Sequence, residues 1–211
     1  MLEAKPRRHR QSRNGGLSSD PRAGTIDAMR LRETVHYLEM RSRDELRPGR
    51  APVHLPEVKR IEPPQPELNA RLYATVGRDW LWVDRLAWSH AQWLANLQQP
   101  GHESWLARHS GRTIGYFELI AHPTDGVKLD YFGLLPEFTG QGLGGWLLTR
   151  AVQIAWDRHP APVRVWLHTS SLDSPSALKN YEARGFRKYD ELTAERDFPD
   201  EAVTRWRAQR G

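Results

Sequence analysis

A glycine-rich segment, GQGLGG at residues 140–145, lies between a hydrophobic run and a stretch with helical periodicity. Glycines allow a backbone to approach phosphate oxygens with no Cβ in the way, and the N–H groups at a helix N-terminus lack intrahelical partners. The segment therefore predicts a turn whose backbone binds the phosphate groups of a cofactor.

Two common phosphate-binding patterns fit this turn incompletely. Gly140, Gly142 and Gly145 satisfy the GxGxxG of dinucleotide-binding folds, but the next predicted strand ends near His168, without the acidic residue that binds the ribose. The P-loop of NTPases requires Lys directly after the last glycine, where this chain has Trp146. Neither pattern identifies the cofactor, so the elements around the turn must indicate which kind of phosphate-binding turn this is.

Periodicity and turn residues predict alternating strands and helices around the turn. A strand over residues 33–40 is followed by a proline-rich connector, two helices, three antiparallel strands, the glycine turn with its helix, a strand, a further helix and a last strand. The order β-αα-βββ-α-β-α-β is typical of an α/β protein with a mixed, mostly antiparallel sheet flanked by helices.

Composition narrows the class of protein. The chain has 211 residues, 38% of them hydrophobic, which suits one ordinary domain with appendages. The absence of cysteine excludes disulfides, thiolate nucleophiles and zinc ribbons, and we predict no metal site. No long apolar window and no signal-like N-terminal block is present, so we expect a cytoplasmic protein that does not bind a membrane.

Positive charge is concentrated at the N-terminus. Residues 1–30 carry seven Lys or Arg and three acidic residues, so most of the formal net charge of +5 lies there. We predict a disordered basic tail over residues 1–30, a folded domain over 31–195 and a C-terminal extension over 196–211. A solvated extension, or translation from Met29, is a simpler interpretation of the tail than contact with nucleic acid.

Two motifs then resemble one family. LLPEFTGQGLGGWLLTRAV resembles the acetyl-CoA-binding motif of the GNAT N-acetyltransferase superfamily, which reads Arg or Gln, x, x, Gly, x, Gly or Ala. When the two small-residue positions of the pattern are aligned with Gly142 and Gly144, its first position falls on Thr139. Threonine at this position departs from the pattern. SPSALKNYEARGF resembles the family's helix with Ala, then Tyr four residues later, then Gly-Phe. The resemblance covers about residues 33–193 and indicates a bacterial branch of unknown acceptor.

The resemblance implies that acetyl-CoA is the cosubstrate and that residues 31–195 bind it. In the family, the strand before the turn offers backbone N–H groups to the thioester, which points to Leu134 as the oxyanion donor. The implied cofactor-binding residues are Leu134, Leu135, Thr139, Gly140, Gln141, Gly142, Leu143, Gly144 and Gly145.

The resemblance also implies catalytic residues. Tyr181 occupies the family's general-acid position, and a phenol of pKa about 10 can protonate a thiolate of pKa about 8.5; the alternative is a core tyrosine. His168 stands where a ribosomal-protein alanine acetyltransferase of the family carries a Glu, and its intrinsic pKa suits a general base. Asp130 and Glu118 are rival bases on the adjacent strands.

The acceptor of the family lies over the loop between the first two helices. Here that loop is RDWLWVDRLAW, in which Trp82, Asp84 and Trp88 could form a pocket for an amine. The simpler interpretation is a helix-capping cluster in which Asp84 pairs with an Arg. We therefore expect transfer of an acetyl group to a primary amine of a small molecule or peptide, by a monomer or homodimer. The alternative is a catalytically silent coenzyme-A sensor or adaptor whose basic tail contacts nucleic acid.

Overall fold

The computed structural model describes residues 28–208. Within that range, seven strands form one sheet and five α-helices accompany it, which confirms the predicted fold class. The elements in chain order are β1 (Ala28–Met40), β2 (Glu57–Arg60), α1 (Pro66–Val76), α2 (His90–Leu97), β3 (His102–His109), β4 (Arg112–His122), β5 (Gly126–Leu134), α3 (Leu143–Trp156), β6 (Val165–Ser170), α4 (Ala177–Ala183), β7 (Arg187–Pro199) and α5 (Asp200–Ala208). None of the helices in this range is both long and apolar enough to cross a membrane.

The sheet divides between β5 and β6. The strand order is β2-β3-β4-β5-β6-β1-β7, and every neighbouring pair is antiparallel except β5 and β6. These two parallel strands pair only at Val127 with Val165 and at Lys128 with Trp166. Beyond those two pairs the strands separate, so a wedge opens in the sheet towards their C-terminal ends.

A β-bulge re-aims β5 just where the wedge begins. Between the pairs Glu118–Asp130 and Tyr116–Gly133, β5 has one residue more than β4. Tyr131 in this bulge has a φ of +40°, a left-handed conformation that is strained for a bulky residue. Because a bulge bends its strand and increases the local twist, the end of β5 turns away from the regular sheet.

The helix after the glycine turn provides much of the core. α3 begins after Gly142, and its buried apolar residues recur at helical spacing, as the sequence predicts. These residues contact apolar side chains of β5 and β6 in the main hydrophobic cluster, so the packing of α3 fixes the position of the turn relative to the wedge. The buried residues of the predicted face are Leu147, Leu148, Ala151, Val152 and Ala155.

The predicted N-terminal boundary is wrong by three residues. β1 begins at Ala28, so residues 28–30 belong to a strand and not to a disordered tail; residues 1–27 of the predicted tail lie outside the described residues. Met29 and Leu31 pack against an apolar cluster that also contains Phe198. Met29 and Leu31 alternate with charged residues, which is typical of a strand. The high charge of the segment favours a disordered tail instead, so the prediction placed the boundary too late.

Two further segments differ from the prediction. The proline-rich connector contains the short edge strand β2, which pairs with β3. The segment predicted as a C-terminal extension continues β7 to Pro199 and then forms α5, so residues 196–208 belong to the fold. Phe198 and Val203 are buried against Leu81 of the α1–α2 loop. The terminal elements therefore support that loop, which sequence reasoning had assigned to the acceptor.

Phe198→Ala tests whether the end of β7 is part of the core. The Phe198 side chain is 1% exposed, so we expect the free energy of unfolding to fall by about 3–5 kcal/mol, because a cavity replaces a buried ring. Leu192→Ala on the same strand removes a side chain that is 57% exposed and should change stability by less than about 0.5 kcal/mol. Urea unfolding measures both, and equal effects would contradict the packing described.

Candidate active site

A groove of about 490 Å³ opens at the wedge in the sheet, between the end of β5, the glycine turn and the start of α4. The splayed strand ends leave this space unfilled, because β6 no longer pairs with β5 there. Six of the predicted cofactor-binding residues line it: Leu134, Thr139, Gly140, Gly142, Gly144 and Gly145. The structure thus brings the turn and the strand end together, as the sequence predicts.

The glycine turn keeps the floor of the groove open. Gly140 and Gly142 have φ values of +73° and +76°, and a Cβ at either position would meet no atom within 4 Å. A Cβ at Gly144 would meet only Asn180 and Leu134, at 3.9 Å. No side chain caps the N-terminus of α3, so its first N–H groups are left for an anion. This cradle fits the pyrophosphate of coenzyme A.

The other three predicted cofactor-binding residues do not line the groove. The Leu135 N–H donates to the Ile114 carbonyl at 2.8 Å, and the Gln141 side chain donates to the Glu137 carbonyl at 2.7 Å. Leu143 is buried in the main hydrophobic cluster. The Leu135 backbone and the side chains of Gln141 and Leu143 therefore stabilise the turn from outside, and any contact of Gln141 or Leu143 with a cofactor would have to come from the backbone.

Thr139 also stabilises the turn itself. Its hydroxyl donates to the Pro136 carbonyl at 2.8 Å. This short side chain stands where the family pattern has a long polar one, so the turn presents mainly backbone N–H groups to the groove.

Tyr181 lies in the wall of the groove opposite β5. Its ring is buried, with the rings of Phe132 and Phe186 each 6.2 Å away between centroids. Burial, and then the negative charge of Asp173, raise the pKa of the phenol well above its usual value. The hydroxyl is therefore protonated at neutral pH and can act as a proton donor to a group in the groove.

A second, smaller cavity of about 130 Å³ adjoins the groove. Trp80, Trp82 and Asp173 line both spaces, so these three residues form the boundary between them. The remaining wall includes His168 and Asp84. The structure therefore gathers Trp82, Asp84 and His168, all predicted from the sequence, around one cavity beside the groove.

His168 lines this second cavity. Desolvation by the surrounding protein, and then the ammonium of Lys128, lower its pKa from the usual value of about 6.5. The nearby carboxylates of Asp130 and Glu33 oppose that shift without reversing it. The imidazole is therefore neutral at pH 7 and can accept a proton.

Asp130 and Glu118 lie elsewhere, in a buried ionic cluster that we call the Arg85 network: Arg85, Glu118, Asp130, His102 and Lys128. Glu118 accepts from the Arg85 guanidinium and contacts His102 Nε2, both at 3.0 Å. Asp130 pairs with Lys128 at 2.8 Å and with Arg85 at 3.4 Å. Neither carboxylate lines the groove or the second cavity, so the geometry favours a positioning role over the predicted role as a base.

Burial alone would raise the pKa of Asp130, but the charges of Lys128 and Arg85 outweigh it and hold the pKa below its usual value. The carboxylate is thus ionised at neutral pH and paired with both cations.

Trp88 contacts the same network, because the Arg85 guanidinium lies 4.8 Å from the Trp88 ring centroid and 4.1 Å from the Tyr131 ring centroid. Trp88 does not line the second cavity, and its contacts anchor the α1–α2 loop instead.

Three residues of the second cavity escaped sequence reasoning. Asp173 follows β6, Glu33 lies on β1 and Arg196 lies late in β7. Arg196 contacts Glu33 at 3.5 Å and forms an ion pair with Asp84, so Asp84 does pair with an Arg, as the simpler interpretation of the loop predicts. Only tertiary pairing of β1 with β7 brings these side chains together, and nothing in the local sequence signals it.

The comparison with protein families now identifies the class. The model of the acetyltransferase (GNAT) family matches residues 68–186, which is more than half of the chain. The chain therefore belongs to the GNAT family. The matched range contains the glycine turn, the end of β5 and Tyr181, the features that form the groove.

Known relatives and solved structures agree with this membership. An uncharacterized N-acetyltransferase of Mycobacterium bovis is 31% identical over 99 residues, which are 47% of this chain and 62% of that protein. A GCN5-related N-acetyltransferase from Sphaerobacter thermophilus has a TM-score of 0.59 at 12% identity, over 81% of this chain and 53% of that one. Spermidine N-acetyltransferase from Vibrio cholerae, in complex with CoA and spermine, has a TM-score of 0.51 at 14% identity. The match covers 70% of this chain and 98% of that one. At these identities the structural likeness shows the fold alone.

Arg85→Met tests the positioning role of the Arg85 network. The change leaves Glu118 and Asp130 without their shared cation, so we expect a loss of about 3–5 kcal/mol in the free energy of unfolding at pH 7. Because the folded pKa of Asp130 is lowered, its contribution is present above pH about 4 and is lost as the pH falls through the folded pKa. The difference between parent and variant should therefore narrow in acid.

Arg78→Met is the matched control. Arg78 lies in the same loop, and its exposed side chain forms an ion pair with Asp79 at 3.3 Å. We expect a change below about 1 kcal/mol for this exposed pair. Urea unfolding at pH 7 and at lower pH measures both variants. A pH-independent loss in Arg85→Met would contradict an electrostatic origin.

Proposed function

We propose that the protein is an acetyl-CoA-dependent N-acetyltransferase that transfers an acetyl group directly to a primary amine of a small molecule or peptide. The observation that carries this proposal is the shared wall between two cavities. One holds a phosphate-binding glycine turn and a buried phenol, and the other holds a neutral imidazole and carboxylates. Membership of the GNAT family supports the same activity.

The residues of the groove match the parts of the cosubstrate. The turn at Gly140–Gly145 binds the pyrophosphate through backbone N–H groups, with the N-terminus of α3 behind it. Acetyl-CoA supplies an acetyl group activated as a thioester. The backbone N–H of Leu134, at the splayed end of β5, stabilises the negative charge that develops on the carbonyl oxygen.

Direct transfer follows from the adjoining cavities. An amine in the second cavity and a thioester in the groove meet at the boundary formed by Trp80, Trp82 and Asp173, so both substrates can bind at the same time. The chain contains no cysteine that could form a thioester with the enzyme. Because the two substrates meet directly, the reaction needs no acyl-enzyme intermediate.

Three proton transfers complete the reaction: the nitrogen loses one proton to His168 before it attacks, the sulfur takes the proton of Tyr181, and the second proton that the nitrogen loses on becoming an amide restores the Tyr181 phenol. His168 accepts a proton from the acceptor ammonium, which exposes the nitrogen lone pair. Tyr181, whose hydroxyl is protonated at neutral pH, donates a proton to the sulfur as the C–S bond breaks. Glu118 and Asp130 act on this chemistry only through the loop and strand that the Arg85 network holds.

Gly144→Leu tests binding and turnover together. The new Cβ is tolerated, since its neighbours lie at 3.9 Å, but the longer side chain enters the groove. We expect acetyl-CoA to stop raising the melting temperature and release of free thiol with a panel of primary amines to disappear. Arg150→Leu, on the exposed face of the same helix, should retain both.

Mass spectrometry identifies the acetylated amine in the parent. Acetyl-CoA binding by the parent without thiol release from any amine would support the sensor or adaptor instead. Unchanged stabilisation of Gly144→Leu by acetyl-CoA would contradict the proposed position of the cofactor.

His168→Gln tests the base through the pH profile. The neutral imidazole is the active form and its pKa is lowered, so kcat/KM of the parent should rise with pH through a pKa below the usual value of about 6.5. The variant should lose this titration and lower turnover by roughly 10²–10⁴ at neutral pH. Acetyl-CoA affinity should be unchanged, as His168 does not line the groove. An unaltered profile would assign the base to another residue.

A further inference from the structure

Arg184 is a cationic residue beside the glycine turn that has no anionic partner. It caps the C-terminus of α4, directly before Gly185 and Phe186. Its Nε–H is buried and has no hydrogen-bond partner in the described residues 28–208, and no carboxylate of that range pairs with its guanidinium. Burying a charged donor without a partner is costly, so an anion bound at this guanidinium would be strongly stabilised.

Glu45 lies against the same helix end, but its carboxylate pairs with other groups. A Cβ at Gly185 would approach the Glu45 backbone carbonyl to 2.0 Å, which shows how closely the two segments pack. The Glu45 carboxylate accepts from the Arg41 N–H at 2.8 Å and pairs with Arg187 at 3.4 Å. Glu45 therefore does not neutralise the charge of Arg184.

Two glycines make room for the Arg184 guanidinium. A Cβ at Gly145 would lie 2.5 Å from its Nη1, and a Cβ at Gly49 would lie 2.6 Å from the same atom. Gly49 is fixed in place because its N–H donates to the Thr149 hydroxyl at 2.8 Å, and the Arg47 N–H donates to the Arg184 carbonyl at 3.0 Å. Gly145 also lines the groove, so the guanidinium lies directly behind the edge of the phosphate cradle.

Positive charge dominates around this guanidinium. Gly145 belongs to the first turn of α3, where the helix dipole places partial positive charge. Arg47 and Arg50 flank Gly49 and are exposed, and neither forms an ion pair with a described residue. A cation beside a helix N-terminus is unfavourable, whereas an anion that reaches both interacts favourably with each. The arrangement therefore suits a phosphate group.

The phosphate that suits Arg184 differs from the pyrophosphate. The pyrophosphate of coenzyme A needs the backbone N–H groups of the turn that lines the groove. Arg184 lies on the α4 side of Gly145, one helical turn after Asn180, and only Asn180 of these two α4 residues lines the groove. Coenzyme A has one further phosphate, a monoester on its ribose, joined to the pyrophosphate through a few bonds. A phosphomonoester carries a charge of about −2 at pH 7, which matches a guanidinium at this edge.

We propose that the Arg184 guanidinium binds the phosphomonoester on the ribose of coenzyme A, at the outer edge of the glycine turn. This inference rests on the proposed function and deepens it, because it names the part of the cosubstrate that a side chain recognises. Arg184 is then a cosubstrate-binding residue that sequence reasoning did not assign.

This contact makes the protein selective among thioesters. The pantetheine arm, with the phosphate that ends it, also occurs in thioesters carried on proteins, which have no ribose phosphate. The glycine turn binds only what the two kinds of thioester share. Arg184 therefore favours free coenzyme A thioesters by about tenfold to hundredfold in affinity, the range for hydrogen bonds to charged groups.

The unaltered protein tests this selectivity first. Acetyl-CoA and acetyl-dephospho-CoA differ only in the ribose phosphate, and isothermal titration calorimetry gives the affinity of the parent for each. We expect acetyl-CoA to bind about tenfold to hundredfold more tightly. Equal affinity for the two thioesters would overturn the inference, whether or not any variant folds.

Arg184→Met removes the guanidinium and keeps an apolar side chain. We expect the affinity for acetyl-CoA to fall by the same factor and the affinity for acetyl-dephospho-CoA to stay constant. Arg187→Met is the matched control, because it removes the same charge from a nearby side chain that is 76% exposed and paired with Glu45. This control should retain the preference of the parent for acetyl-CoA.

Two further measurements separate binding from structure. The melting temperature of unliganded Arg184→Met should be at least that of the parent, because the variant loses an unpaired, partly buried charge. Arg184→Lys keeps a charge without the planar fork and should retain part of the preference. An equal loss of affinity for both thioesters in Arg184→Met would overturn the inference, and a lower melting temperature would then assign Arg184 to the structure of the turn.

The outcome for acetyl transfer is separate. Release of free thiol from acetyl-CoA with a panel of primary amines measures turnover in the same proteins. Selective binding of acetyl-CoA without thiol release from any amine would contradict the proposed transfer and leave the assignment of Arg184 intact. Thiol release with equal affinity for the two thioesters would overturn the assignment and leave the transfer intact.

Discussion

The separation of β5 from β6 is the constraint on which the site depends. Only two residue pairs join these parallel strands, at the level of Val127 and Lys128. Closer pairing would carry hydrogen bonds across the space that now forms the groove. The sheet therefore lacks several backbone hydrogen bonds between β5 and β6. The buried apolar face of α3 packs against both strands and holds the two parts of the sheet together. A cofactor can enter a sheet in this way without breaking its continuity.

The Arg85 network lies on β5 at the point where this strand separates from β6. It ties the α1–α2 loop to the strand at Asp130, directly beside the bulge where Tyr131 has a positive φ. A buried cation between two carboxylates is costly to disrupt, because removing one partner leaves an uncompensated charge. The Arg85 guanidinium lies over the ring of Tyr131, which in turn contacts Trp82 at the boundary of the two cavities.

The sequence predicted those parts of the site that depend on local structure. The glycine turn, the face of α3 and the position of Tyr181 follow from turn chemistry and helical spacing, and each lies where local rules put it. Asp130 and Glu118 are different, because only the fold reveals that Arg85 occupies both carboxylates. Arg196 and Glu33 could not be found, since they meet through strand pairing between residues far apart in the chain.

This contrast divides the molecule between the two substrates of the proposed reaction. The glycine turn at the floor of the groove is made of residues close together in sequence and presents backbone N–H groups, and the Thr139 hydroxyl braces this turn. The second cavity is made of side chains from β1, the α1–α2 loop, the segment after β6, and β7. Substitutions in those elements alter its charge without touching the phosphate cradle. In the proposed reaction, acceptor preference can therefore change while the glycine turn stays constant.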